Sequence, residues 1–183
     1  MMLRLEPNKV QDPFLHYRLW SVIQDEDFLK KCEQDAQRFP YYKIEKTRTS
    51  NPDRVWLNQQ SGYLSALAYE FDHDQTKRQL GFSMHTTYLG CRTRVELCMD
   101  SVGSWLEPHK DDAAKVMTMQ LYLTGYGNST KLGDTETTIT KNSAWAFDNT
   151  DQPIHSLEPL KYNRASIIIN YVTDDWRDKS VLV

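Results

Sequence analysis

From Thr86 onward the chain breaks into short runs of β-branched and aromatic residues divided by Gly, Asn, Asp and Pro clusters, with no long helical repeat between them. This pattern predicts strands over residues 93–99, 117–124, 135–140, 144–147 and 165–172. Turns are expected at Gly125-Tyr126-Gly127-Asn128 and at Asn149-Thr150-Asp151. Evenly spaced short strands of this kind fit a sandwich or a jelly-roll barrel.

Two of the predicted strands alternate in an informative way. One face of 117–124 carries Met117, Met119, Leu121 and Leu123, and the other Thr118, Gln120, Tyr122 and Thr124. The last strand sets Ala165, Ile167 and Ile169 against Arg164, Ser166, Ile168 and Asn170. Either the polar faces meet water, or helices cover the apolar faces and the polar faces line a cavity.

Helical signals occupy the first part of the chain. Asp25 suits an N-cap, Glu26 and Asp27 a first turn, and Phe28, Leu29, Cys32 and Ala36 one helix face. After a turn at Asn51-Pro52-Asp53, Ser61 precedes a second such face of Leu64, Leu67, Ala68 and Phe71. A chain of 183 residues suits one domain. It is expected to be mainly β with flanking N-terminal helices, residues 1–85 forming a mostly helical support region and 86–175 the β core.

Composition narrows the partners. A net charge of −3 gives no overall attraction to nucleic acid. No apolar run is long enough to span a bilayer, and Met1-Met2-Leu3-Arg4-Leu5-Glu6-Pro7 lacks the apolar core of a secretion signal, so a cytoplasmic protein is expected. Cys32, Cys91 and Cys98 have neither zinc-cluster nor disulfide-framework spacing and are expected to be reduced structural thiols.

The segment Gly103-Ser104-Trp105-Leu106-Glu107-Pro108-His109-Lys110-Asp111-Asp112 carries the chemistry. In extended chain, positions i and i+2 point to the same side, so His109 and Asp111 can present an imidazole and a carboxylate to one ion. Two histidines and a carboxylate on one octahedral face suit iron(II), with positions left for co-substrate and oxygen. His155, after the strand 144–147, is the candidate third ligand. Asp112 is an alternative carboxylate, although i+3 does not share the face. Among the other histidines, His85 is either a ligand or a hydrogen-bonded residue at the helix-to-sheet junction, His73 a solvated residue and His16 a packing residue.

The order of these residues, a Gly-x-x-Leu-x-x-His-x-Asp turn, an apolar strand ending in Tyr122-Leu123, a distal histidine and Arg164-Ala165-Ser166, resembles the iron(II)- and 2-oxoglutarate-dependent oxygenase superfamily, in particular the branch similar to prolyl hydroxylases. The resemblance covers roughly residues 88–175, with a weaker echo in Asp12-Pro13-Phe14-Leu15-His16-Tyr17. It implies a double-stranded β-helix, a cupin-like jelly roll, holding iron(II) on His109, Asp111 and His155. It also implies 2-oxoglutarate as co-substrate with O2, its distal carboxylate on Arg164 with further hydrogen bonds from Ser166 and Tyr122. Hydroxylation follows as the expected reaction, because halogenating relatives lack the carboxylate that Asp111 provides. Trp105, Arg94 and Asn170 are candidate contacts to a small-molecule or peptidyl substrate. The competing readings are a cupin-like metal protein or dioxygenase that uses no oxo-acid, and a jelly-roll binding module without metal.

Overall fold

The computed structural model describes residues 3–12, 14–46, 53–124, 130–137 and 139–183. The turn expected at Gly125–Asn128 and most of the one at Asn51-Pro52-Asp53 lie outside these residues. Eleven strands are described: β1 (Asn8–Val10), β2 (His16–Trp20), β3 (Val55–Trp56), β4 (Arg92–Asp100), β5 (Leu106–His109), β6 (Lys115–Tyr122), β7 (Thr130–Leu132), β8 (Thr135–Glu136), β9 (Ser143–Asp148), β10 (His155–Leu157) and β11 (Arg164–Val172). Seven of them form an antiparallel sheet in the order β1-β2-β9-β6-β11-β4-β3, and four form a second in the order β5-β10-β7-β8. This is the expected double-stranded β-helix, mainly β with helices at one side.

Three helices, α1 (Glu26–Ala36), α2 (Tyr63–Asp72) and α3 (Asp74–Ser83), accompany the larger sheet. Asp25 caps α1 by accepting the Phe28 N–H at 3.0 Å, as its position suggests. The start of α2 is set by a tertiary contact. Asp35, from the end of α1, accepts the Tyr63 N–H at 2.7 Å, and Ser61 has no part in the cap. Gly62 is required there, because a Cβ on it would meet Asp35 Oδ2 at 2.7 Å. His73 separates α2 from α3 and accepts the Gln75 N–H, so its role is a cap.

The alternation along β6 and β11 resolves in favour of a lined cavity. Met117, Met119 and Leu121 of β6, Ile167 and Ile169 of β11, and Val95, Leu97 and Met99 of β4 pack with Leu64, Leu67, Ala68 and Phe71 of α2 in one core. Each such side chain contributes about 1.5–3 kcal/mol through burial. The helices therefore cover the apolar face of the sheet. The opposite face turns inward, where Tyr122, Trp145 and Phe147 meet Leu132 of the smaller sheet in a second apolar cluster.

The structure differs from the sequence reading in three places. The expected strand over 135–140 shrinks to Thr135–Glu136, which pairs with β7 across a turn where Gly133 has φ 58°. Thr137 then closes the hairpin, its N–H and hydroxyl both reaching the Thr130 carbonyl. The N-terminal region is more than helical support, since β1 pairs with β2, and β2 joins the large sheet beside β9 with Tyr17 opposite Ala146. Six strands escaped the reading, β1, β2, β3, β5, β7 and β10, because two to five residues are too few to display a period.

All three cysteines are free thiols, with Cys32 and Cys98 buried. Burial, reinforced by Asp35 and Glu33, pushes the Cys32 thiol up to about 12. Among the described residues no helix is long and apolar enough to cross a membrane.

Candidate metal centre and its cavity

The smaller sheet brings the two histidines together. In the antiparallel pairing of β5 with β10, His109 lies opposite His155, and their ring centroids are 4.3 Å apart. Asp111 follows β5 by two residues, and its Oδ2 lies 3.9 Å from His155 Nε2. One donor atom from each of His109, Asp111 and His155 falls within 4.8 Å of the others. They are the one group of this kind among the described residues.

The surrounding groups fix the donors. Nδ1 of His109 is 2.8 Å from the Glu107 carbonyl, and Nδ1 of His155 is 3.2 Å from the Pro153 carbonyl. A carbonyl only accepts, so each Nδ1 carries a proton, which directs Nε2 of each ring toward the ion position. Asp111 Oδ2 accepts the Thr118 hydroxyl at 2.6 Å, while Oδ1 pairs with the Lys115 ammonium. Burial pushes the Asp111 carboxyl up, but Lys115 and His155 outweigh it and hold the group well below the usual carboxylate range. Burial lowers His155 to about 4 against the opposing pull of Asp111. At neutral pH His155 is thus a neutral imidazole and Asp111 a carboxylate, the states in which each can bind a divalent cation.

These side chains open on a cavity of about 320 Å³, which Arg94, Gln120, Trp145 and Arg164 also line. Arg164, 1% exposed, is held by Asp100: Nε and Nη2 donate to Asp100 Oδ2 at 3.1 and 2.6 Å. Its Nη1 points to Thr130 Oγ1 at 3.5 Å.

Other predicted residues lie elsewhere. Tyr122 and Ser166 are fully buried but do not line the cavity: Tyr122 accepts the Trp145 indole N–H, and Ser166 accepts from Gln120 Nε2, both at 2.8 Å. Gln120 and Thr130 occupy the wall instead. Trp105 does not line the cavity but an adjoining groove with Pro108 and Glu158, on the other side of Leu106 and Leu157. Asp112 accepts the Ala114 N–H at 2.9 Å and so shapes the turn rather than joining the triad. His85 is exposed at φ 56°, and His16 is buried edge-on against Phe14.

Arg94 lines the cavity, and Asn170 stands behind it. Asn170 Nδ2 donates to Thr118 Oγ1 at 2.9 Å, and its Oδ1 accepts from Arg94. A chain of hydrogen bonds thus runs from Arg94 through Asn170 and Thr118 to Asp111. Sequence reading missed Lys115, Asp100, Trp56 and Trp176 as parts of the site. Thr118 was visible on the polar face of its strand, but the other four carry no local signal.

No family model and no curated protein sequence matches the chain. Solved structures do. A prolyl-4-hydroxylase of Pseudomonas putida superposes with TM-score 0.63 at 13% identity, over 86% of this chain and 92% of that one. The prolyl hydroxylase of Trichoplax adhaerens, solved with a hypoxia inducible factor peptide fragment, gives TM-score 0.64 at 10% identity over 87% and 84%. SnoN, a non-heme alpha ketoglutarate dependent epimerase from nogalamycin biosynthesis, gives 0.61 at 15% over 86% and 78%. The chain shares the fold of these oxygenases.

Proposed function

We propose that the chain is an iron(II)- and 2-oxoglutarate-dependent dioxygenase that hydroxylates a substrate C–H bond and releases succinate and CO2. One observation carries the reading: the His109, Asp111 and His155 donors and the Arg164 guanidinium open on a single cavity. The donor set fits iron(II), since two imidazoles turn their Nε2 side to a carboxylate that is held ionised. Bound iron(II) would supply the O2 activation that couples oxo-acid decarboxylation to substrate oxidation.

The chain's own residues do the positioning. Glu107 and Pro153 carbonyls orient the imidazoles, and Thr118 and Lys115 hold both carboxylate oxygens of Asp111. Arg164 offers Nη1 to the distal carboxylate of 2-oxoglutarate, its plane fixed by Asp100. Trp145, Leu157 and Ile168 supply an apolar wall that keeps water from the space between. A reading without an oxo-acid leaves a buried guanidinium in the cavity with no role beyond its pairing to Asp100.

The test is anaerobic addition of 2-oxoglutarate to the iron(II)-loaded protein. A visible charge-transfer band should form, and succinate should accumulate when air is admitted. Folded, metal-loaded protein that shows neither the band nor succinate would refute the proposal.

A further inference from the structure

The part of the cavity opposite Arg164 has its own chemistry. Arg94, 3% exposed, is clamped between two indoles, its guanidinium carbon 4.6 Å from the Trp56 ring centroid and 5.1 Å from that of Trp176. Nη2 donates to Glu96 at 3.0 Å and Nη1 to Asn170. The Nε–H, equally buried, has no acceptor among the described residues, and neither has the indole N–H of Trp176. Leaving two buried donors unsatisfied is costly unless a ligand meets them.

Charge points the same way. Arg54 also approaches the Glu96 carboxylate, at 3.6 Å. Around the whole cavity seven cationic side chains face four anionic ones, in a chain whose net charge is −3. Arg94 reaches the metal ligand Asp111 through Asn170 and Thr118, so a group docked on it lies beside the triad.

We infer that Arg94, with the indole N–H of Trp176, forms a second anion subsite that holds a carboxylate of the substrate, distinct from the oxo-acid anchor at Arg164. This rests on the proposed function for the meaning of "substrate", but the subsite itself does not. A carboxylate matches the donors: both unsatisfied groups are N–H donors, and a carboxylate accepts at each of its oxygens. With about 320 Å³ to share between oxo-acid and substrate, the cavity takes a compact acid. That acid is either a free metabolite or the side chain of an acidic residue.

Calorimetry on zinc(II)-loaded protein saturated with 2-oxoglutarate tests this without turnover. The probes are the free L-amino acids and the simple dicarboxylic acids, N-acetylated and C-amidated peptides containing Asp or Glu, and the uncharged amide of each. At least one acid should bind, and its amide should bind about tenfold more weakly or worse. Binding by the free acids identifies a metabolite, and binding by the blocked peptides an acidic side chain. Arg94→Gln should abolish this binding and leave 2-oxoglutarate binding intact, while Arg164→Gln should do the reverse. Trp176→Phe keeps the ring and removes only the N–H, so it should weaken the acid several-fold even if Arg94→Gln does not fold. Loss of 2-oxoglutarate binding from the unmodified protein would sink the oxygenase reading alone, since the acids can be titrated without it. The subsite is overturned if no acid binds, if amides bind as well as acids, or if both Arg94→Gln and Trp176→Phe bind the acid normally.

Discussion

Thr118 donates its hydroxyl to Asp111 Oδ2 at 2.6 Å while accepting from Asn170 at 2.9 Å and from Asn149 at 3.2 Å. One β6 side chain therefore orients the carboxylate of the triad and ties it to the far wall of the cavity. Thr118→Val keeps the shape, removes all three bonds and leaves two buried amides short of a partner. We expect metal affinity to fall roughly 10- to 100-fold and stability by about 1–3 kcal/mol. Titration with manganese(II) and chemical denaturation read the two effects separately; unchanged metal affinity would remove Thr118 from the site.

Metal binding should stabilise the fold, because the triad joins a loop to the two-strand pairing of β5 with β10. At a metal concentration of about 100 times Kd the gain is about 2.7 kcal/mol, or roughly 5–10 °C in Tm for a domain of this size. Chelator should reverse it, and His109→Ala should abolish it. Identical melting curves with and without manganese(II) would contradict the assignment of the triad.

Protonation of His155 sets a pH dependence of the metal-free protein. Its folded value of about 4 lies below the ordinary 6.5, so between these values the unfolded chain binds a proton that the folded chain refuses. Stability should be full above about pH 6.5 and fall by up to about 3 kcal/mol as pH drops toward 4. Asp111, held well below the usual range, keeps its contribution throughout this window and loses it only at lower pH. Buried His16 is lowered too and acts in the same direction, so the comparison must be with His155→Gln, whose profile should be flatter. Parallel profiles for the two proteins would argue against a neutral, buried His155.

Asp100 and Arg164 form a buried pair, with Nη2 to Oδ2 at 2.6 Å. Arg164→Ala removes the guanidinium from a buried carboxylate and should cost about 3–5 kcal/mol. Asp100→Asn is the more telling variant. It removes a carboxylate that competes with 2-oxoglutarate for the guanidinium, so the protein should lose stability alone and regain part of it with saturating 2-oxoglutarate. Melting with and without the oxo-acid checks this, and an equal loss in both conditions counts against Arg164 as its anchor.

The sequence by itself determined the all-β second half, the inward polar faces of β6 and β11, and the apolar stripes of α1 and α2. These depend on periodicity and on a local cap at Asp25, both of which are properties of neighbouring residues. It also gave His109 and Asp111 a common side, since two residues of extended chain suffice for that. What only the tertiary structure decided is the pairing of His155 with His109 across strands too short to show a period, the cap that Asp35 lends to α2, and the placement of Tyr122, Ser166 and Trp105 away from the cavity. The Arg94 clamp belongs to the same group: Trp56, Arg94 and Trp176 come from three distant stretches of chain. Alternation assigns a side chain to a face of a sheet, but how far it reaches, and what arrives from another strand to meet it, depends on stagger and packing that no local pattern encodes.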